Sequence, residues 1–408
     1  MNSFINIKGV KIISPTNKWC VHSYYTLCPY APDGSGRVLV SGVDLLTNKT
    51  NIMIISSTGE ILTSFEVGEA QANFFHTGCW QTWSADCRYV YYQGGDMLSP
   101  MIGRFEIATG EKKVLVGDME GAPPFSEPII SGFLGMLYAA GYANGKYEPE
   151  KAPFPFKNRD EHGLFRFSVE RNEYELALSV NDILDLHPNK DKIKEAEREY
   201  IKITGNKEGF TLMAYCVRWS PSGERCLFYF GNHCVDKRRE EPKLCYVFTA
   251  NKDLSDIKLA LDLSFSNKGV HWGWHPDDMH LIGYANNKAN DNQMCLCSVA
   301  YDGSDFKMIS KHNSGGHPSI CPSDYKLLVT DETGRPGRVV FIDLENDKEV
   351  GFYSLPCMFG DNIPPGRNRY RVCLHPVFSQ DGKKVIVNAL PNENSVVCEL
   401  DTIVRRKI

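Results

Sequence analysis

The chain has 408 residues, 42% hydrophobic and 23% charged, with 34 Gly and 22 Pro, a composition that excludes a disordered polymer or a fibrous repeat and allows a deep core. Its 45 basic and 50 acidic residues leave a net charge of −5, and no basic block is long enough to follow a phosphate backbone, so nucleic acid is not an expected partner. A membrane is not expected either: the most apolar stretch, 128–142 (PIISGFLGMLYAAGY), is too short and Gly-broken for a spanning helix of about 20 residues and reads as two buried strands and a turn.

The N-terminal stretch MNSFINIKGVKIISPTNK lacks the apolar core of a signal peptide, which points to the cytoplasm, or to the periplasm or exterior if a leader has been removed. From there a loose motif recurs: a Pro or aromatic, a Ser or other small residue, an Asp/Gly turn and a β-rich run. It is visible at 28–42, 83–93, 219–231, 274–285, 321–331 and 378–389, with a degenerate copy at 123–142. Second hairpins lie between the copies, at 104–113, 164–174, 296–305 and 339–349. Their Asn, Asp and Gly residues supply the positive φ that tight turns need. A unit of about 40–58 residues with four strands is a propeller blade, and blades close into a ring because one alone buries neither face. The prediction is an all-β, seven-bladed β-propeller forming a single domain over residues 1–408, with a pair of β-sandwiches as the alternative. Segment 182–209 interrupts the pattern with KIKEAEREYIK, which has helical propensity and little apolar surface, so a partly helical surface insertion is expected in or after the third blade.

Residues that can do chemistry collect at blade starts. His76 in NFFHTGCWQTW stands at the second blade, and His271, His317 and His375 begin the innermost strands of three late blades. Equivalent points of neighbouring blades converge on the ring axis, so His271, His317 and His375 are expected as metal ligands. Manganese, zinc and calcium all remain open. The bland reading of each histidine is a hydrogen bond to backbone. The long Tyr- and Pro-rich connection 137–163 reads as a binding loop, with Tyr142, Tyr147 and Arg159 its candidates; for Tyr142 and Arg159 the bland readings are a packed aromatic and a surface ion pair. No acidic pair of the kind glycoside hydrolysis requires sits at the blade starts. The residue types fit β-elimination of a uronic-acid glycoside: a cation against the carboxylate, a neutral His as base and a Tyr as acid.

The order of NFFHTGCWQTWSADCRYVYYQ, HGLFRFSVERNEYELALSV, VRWSPSGERCLFYF, VHWGWHPDDMHLIGYA, GGHPSICPSDYKLLVTD and LHPVFSQDGKKVIVNA over roughly 70–400 resembles the seven-bladed propeller polysaccharide lyases. These include oligogalacturonate lyases and, closer in pattern, ulvan and rhamnose–glucuronate lyases. The resemblance implies His76 as base or combined base and acid, Tyr142 and Arg159 as its catalytic partners, and His271, His317 and His375 around a divalent metal. Asn73, Trp80, Tyr147, Arg218 and His271 are expected to contact substrate, an acidic oligosaccharide or polysaccharide. The second His that ulvan-type members carry after the first is replaced by YYQGGDM, and Cys373 stands two residues before the LHP histidine, as a soft ligand or a small buried residue. A non-catalytic carbohydrate-binding or protein-interaction propeller is the second reading. The other cysteines among the fourteen form no paired zinc motif and read as small buried hydrophobes of a reducing compartment.

Overall fold

The computed structural model describes residues 7–70, 74–95, 99–124, 127–142, 145–358 and 371–403. Asn73 lies outside them. The chain opens with β1 (Val10–Ile12), which joins the last sheet. The first blade is β2 (Trp19–Val21), β3 (Val38–Val43), β4 (Lys49–Ile55) and β5 (Ile61–Glu69). A single turn, α1 (Phe74–Thr77), leads into the second blade: β6 (Thr82–Trp83), β7 (Tyr89–Gly95), β8 (Pro100–Glu106) and β9 (Lys112–Val116). The third has β10 (Ile129–Ser131), then α2 (Leu134–Ala139), β11 (Gly163–Ser168) and β12 (Glu173–Ser179). Two helices follow it, α3 (Val180–Leu186) and α4 (Lys190–Thr204).

The fourth blade is β13 (Met213–Trp219), β14 (Arg225–Gly231), β15 (Cys245–Asn251) and β16 (Lys258–Asp262). The fifth is β17 (Gly269–Trp274), β18 (His280–Asn287), β19 (Gln293–Ala300) and β20 (Lys307–Ser310). The sixth is β21 (Ser319–Cys321), β22 (Asp324–Glu332), β23 (Gly337–Asp343) and β24 (Lys348–Leu355). The seventh is β25 (Val377–Phe378), β26 (Lys384–Ala389) and β27 (Val396–Asp401), completed on its outer edge by β1, with Val10 opposite Leu400. Pairing is antiparallel throughout, and the architecture is the seven-bladed β-propeller the turn repeat predicts.

Burial follows position in the blade. In β14 only Arg225 reaches solvent, because both faces pack on neighbouring blades, whereas the outermost β9 buries Leu115 alone. Phe228 and Phe248 stack at 5.6 Å within the fourth blade, and each such fully buried ring contributes about 1.5–3 kcal/mol. The stretch 128–142 departs from expectation. Only Ile129–Ser131 is a strand, and Leu134–Ala139 is helical. A Cβ at Gly132 would come within 2.5 Å of the Ala214 carbonyl oxygen, so the strand ends against β13 and the Leu/Met/Ala run beyond it takes its intrinsic helical preference. The helices after the third blade begin with a Ser179–Asp182 capping box, and α4 ends at Gly205 with φ 71°, both sound helix boundaries. Among the described residues no helix is long and apolar enough to cross a membrane.

Two bulges decide where side chains point. The register slips by a residue between Tyr215 and Arg218 in β13 and between Val270 and Gly273 in β17, with Cys216 and His271 at φ 55° and 58°. An extra residue in a strand breaks its alternation and re-aims a side chain. His271 therefore sits inside its innermost strand, while His317 and His375 lie just ahead of theirs. By register all three occupy the same point, each two residues before a paired residue of its innermost strand, Gly273, Ser319 and Val377.

Candidate active site

A cavity of about 640 Å³ takes wall residues from all seven blades, which places it on the central channel. Tyr24 follows β2, His76 lies on α1, Tyr142 on the connection after α2, Arg218 on β13, His271 on β17, His317 before β21 and Arg371 before β25. Of the sequence-derived candidates it gathers His76, Trp80, Tyr142, Arg218, His271 and His317, with His375 buried immediately behind.

The imidazoles are close-packed. Ring centroids are 4.1 Å apart for His271 and His317, 4.2 Å for His317 and His375, and 4.7 Å for His76 and His375. Asp331 on β22 holds two of them. It accepts from the backbone N of His317 at 2.7 Å and of His375 at 3.1 Å, and His317 Nδ1 lies 3.0 Å from each of its oxygens. Burial pushes the Asp331 carboxyl upward, but His317 and these donors outweigh it and keep it below its ordinary value. His271 has Nδ1 within 2.9 Å of the Gly315 carbonyl oxygen and 2.8 Å of that of Gly316. Burial first, then neighbouring positive groups, hold His76, His271 and His375 well below the usual histidine range, so all three are neutral near pH 7.

Two guanidinium groups face these rings. Arg218 is buried, donates from Nη1 to Tyr25 Oη at 3.0 Å and to the Trp272 carbonyl, and lies 5.3 Å over the Tyr24 ring. Arg371 is half-buried and lines the same cavity as the Tyr142 phenol. Burial pushes that phenol up to about 12, with Arg371 opposing the rise, so Tyr142 carries its proton at neutral pH. Among the described residues the one carboxylate in the wall is Glu120, which accepts from Cys216 N at 3.0 Å and is pushed up to about 7 by burial against the pull of Arg218. A second cavity of about 640 Å³, lined by the turns that follow the innermost strands, shares Glu120 and Arg218 with the first. Tyr24 faces one cavity and Tyr25 the other, with rings 4.7 Å apart.

Two candidates are not brought into the cavity. Arg159 is bound through both terminal nitrogens to Glu197 of α4, one contact at 3.3 Å, and donates to the Phe210 carbonyl at 2.9 Å. Tyr147 carries the Arg239 guanidinium 3.9 Å over its ring and donates to Glu208 at 3.4 Å. Sequence reasoning missed Tyr24, Glu120 and Arg371. The signal for Tyr24 is the segment HSYY directly after a first innermost strand, and for Arg371 the basic run RNRYR one residue before CLHP.

The histidine cluster suits a cation. Among the described residues, His317 Nε2 and both ring nitrogens of His375 are buried without a hydrogen-bond partner, and a carboxylate holding the far nitrogen of His317 is the usual outer support of a metal ligand. Donor atoms of His76, Cys373 and His375 lie within 4.8 Å of one another. All fourteen cysteines are free thiols; those of Cys295 and Cys297, neighbours on one face of β19, share a thiol–thiol hydrogen bond at 3.6 Å and no disulfide.

No family model and no curated protein matches the chain. Among solved structures, an oligogalacturonate lyase from Vibrio parahaemolyticus is similar over 98% of this chain and 95% of its own, with a TM-score of 0.63 at 14% identity. An oligogalacturonate lyase in complex with manganese is similar over 96% and 92%, with a TM-score of 0.64 at 14% identity. The β-propeller domain of Cps50 (Swd1) from Myceliophteria thermophila is similar over 96% and 100%, with a TM-score of 0.53 at 8% identity. At these identities the likeness is one of fold.

Proposed function

We propose that the protein is a lyase that cleaves a uronic-acid-containing oligosaccharide or polysaccharide by β-elimination. The observation that carries this reading is the convergence of Arg371, Tyr142 and neutral imidazoles on one cavity in which Glu120 is the single carboxylate among the described residues. A binding module or scaffold gains nothing from neutral histidines facing a buried cation. The names of the two oligogalacturonate lyases of like fold support the reaction class.

In this mechanism the uronate carboxylate docks on Arg371, whose charge stabilises the negative charge that develops as the neighbouring ring proton leaves. A neutral imidazole takes that proton. His76 is the candidate from sequence, and half-buried His271 lines the same wall. The C–H electrons form the ring double bond, the glycosidic C–O bond breaks, and Tyr142 gives its proton to the departing oxygen. The orphaned imidazoles fit a divalent cation, whose chemistry would be further charge neutralisation at the carboxylate. The motif resemblance favours a rhamnose–glucuronate linkage and the solved structures an oligogalacturonate; both put a uronate beside the scissile bond.

The test is ultraviolet absorbance of the unsaturated uronate product on ulvan, gum-arabic-type and pectic oligosaccharides, with manganese, zinc or calcium added. A rise on at least one, lost in Arg371→Ala and Tyr142→Phe, is expected. No rise on any of them overturns the reading.

A further inference from the structure

The relative in complex with manganese invites the assumption that this chain takes the same ion. Its own donors argue otherwise. His375 is fully buried with neither ring nitrogen hydrogen-bonded among the described residues, a costly arrangement for a polar group. Beside it stand Cys373, 4% exposed, and His76, 8% exposed, with Cys373 Sγ 3.3 Å from His76 Nδ1. Three donor atoms within 4.8 Å of one another are close to a tetrahedral set. Zinc bonds of about 2.3 Å to sulfur and about 2.0–2.1 Å to nitrogen place a sulfur and a nitrogen donor about 3.6 Å apart.

We infer that His76, Cys373 and His375 form a metal site of two imidazoles and one thiolate, selective for a thiophilic ion of the zinc type over manganese. Soft thiolate prefers zinc and cobalt, whereas manganese prefers oxygen donors. Three protein ligands leave one position for water or a substrate oxygen, the pattern of a working rather than a purely structural site. Binding breaks the Cys373 S–H bond, and the proton goes to solvent as the sulfur–metal bond forms. Within the lyase reading, on which this second step rests, His76 is then a ligand and the base is His271. The burial agrees: His76 and His375 are enclosed, while His271 is half-exposed on the cavity wall.

The test uses the whole protein, stripped of metal, with zinc, cobalt and manganese salts as probes. Cobalt should produce a thiolate charge-transfer absorption that zinc abolishes, and zinc should bind at least tenfold more tightly than manganese, releasing a proton. Cys373→Ser should lose the absorption, and Cys373→His should lower the zinc-to-manganese preference at least tenfold. Wild-type protein without the absorption, showing only a thiol–imidazole hydrogen bond, overturns the inference without recourse to any variant that fails to fold. So does an absorption retained in Cys373→Ser, which would assign it to another thiol. His271→Ala should keep the cobalt spectrum and lose the unsaturated product, whereas His76→Ala should lose both; a His76→Ala protein that keeps the spectrum overturns the ligand set. A cobalt spectrum with no product on any uronate leaves this metal site standing and removes the lyase reading.

Discussion

Arg159 is the residue on which sequence and structure diverge most, and substituting it separates a catalytic from a structural role. Its guanidinium and the Glu197 carboxylate are 14% and 17% exposed, sheltered enough for the pair to be strong. Arg159 also bonds the Phe210 carbonyl, while Glu197 accepts from Phe210 N at 2.7 Å. The pair thus ties the connection before β11 to α4 and to the chain re-entering the fourth blade. Hydrogen bonds to charged groups contribute about 1.5–3 kcal/mol each and do not add fully. With residual solvent access discounted, Arg159→Ala should cost about 2–4 kcal/mol. Lysine lacks the planar fork, so Arg159→Lys should recover less than half. The loss should appear as faster hydrogen exchange across α4, whose Ile193 and Tyr200 are buried only while it stays docked, and as a lower urea midpoint in circular dichroism. Turnover at low temperature should stay within about threefold, since nothing in the cavity has changed. A hundredfold loss of turnover with unchanged exchange and midpoint would refute this reasoning and return Arg159 to the catalytic machinery.

Arg371→Ala should lower kcat/KM on uronates by about a hundredfold to a thousandfold, the range for removing a donor from a developing oxyanion. Methyl-esterified substrates, which lack the charge, should be indifferent to it, and equal losses on both would displace Arg371 from the carboxylate. Stability should fall between pH 7 and 5.5: burial lowers His22 and His187 to about 4 from 6.5, so the unfolded chain binds more protons across this window and each costs about 1.2 kcal/mol. Glu120, raised to about 7 from 4.5, has the opposite sign and offsets about 1.6 kcal/mol, so Glu120→Gln should steepen the acid loss; parallel wild-type and variant curves would show that Glu120 is not so displaced.

The fold was legible because its signal repeats. Each Trp-Ser, Trp-His, Phe-Ser or Cys-Pro turn reports a hairpin between the first two strands of a blade, as at Trp83, Trp219, Trp274, Phe378 and Cys321, and several weak copies specify a ring together. Residues 128–142 misled because apolar runs of that length do not distinguish strand from helix. The site was legible where a histidine marked a blade start. It was opaque for residues outside any motif, as at Tyr24 and Arg371. Gln93, in the YYQGGDM segment, is engaged with backbone: it accepts from Met119 N at 2.8 Å and donates to the Gly94 and Met101 carbonyls at 3.2 Å. Its amide ties β7 to β8 and to Met119.

The carboxylates decide between elimination and hydrolysis. A glycosidase needs two of them, about 5–9.5 Å apart, across the scissile bond. Of the two beside this cluster, Asp331 is committed to His317 and His375 and does not line the cavity, and Glu120 already accepts from Cys216 N. Neither has a partner carboxylate in the wall among the described residues, so no pair is available to activate water and protonate the leaving oxygen together. Elimination needs no water: the broken bond is replaced by a ring double bond, and the masses of the two products sum to that of the substrate. Digestion in water labelled with heavy oxygen, followed by mass spectrometry, should therefore show products with no label beyond background exchange at the reducing end and one fragment lighter by a water. Both fragments at full hydrolysed mass, with label at the cleaved bond, would mean that a carboxylate pair outside the described residues does the work.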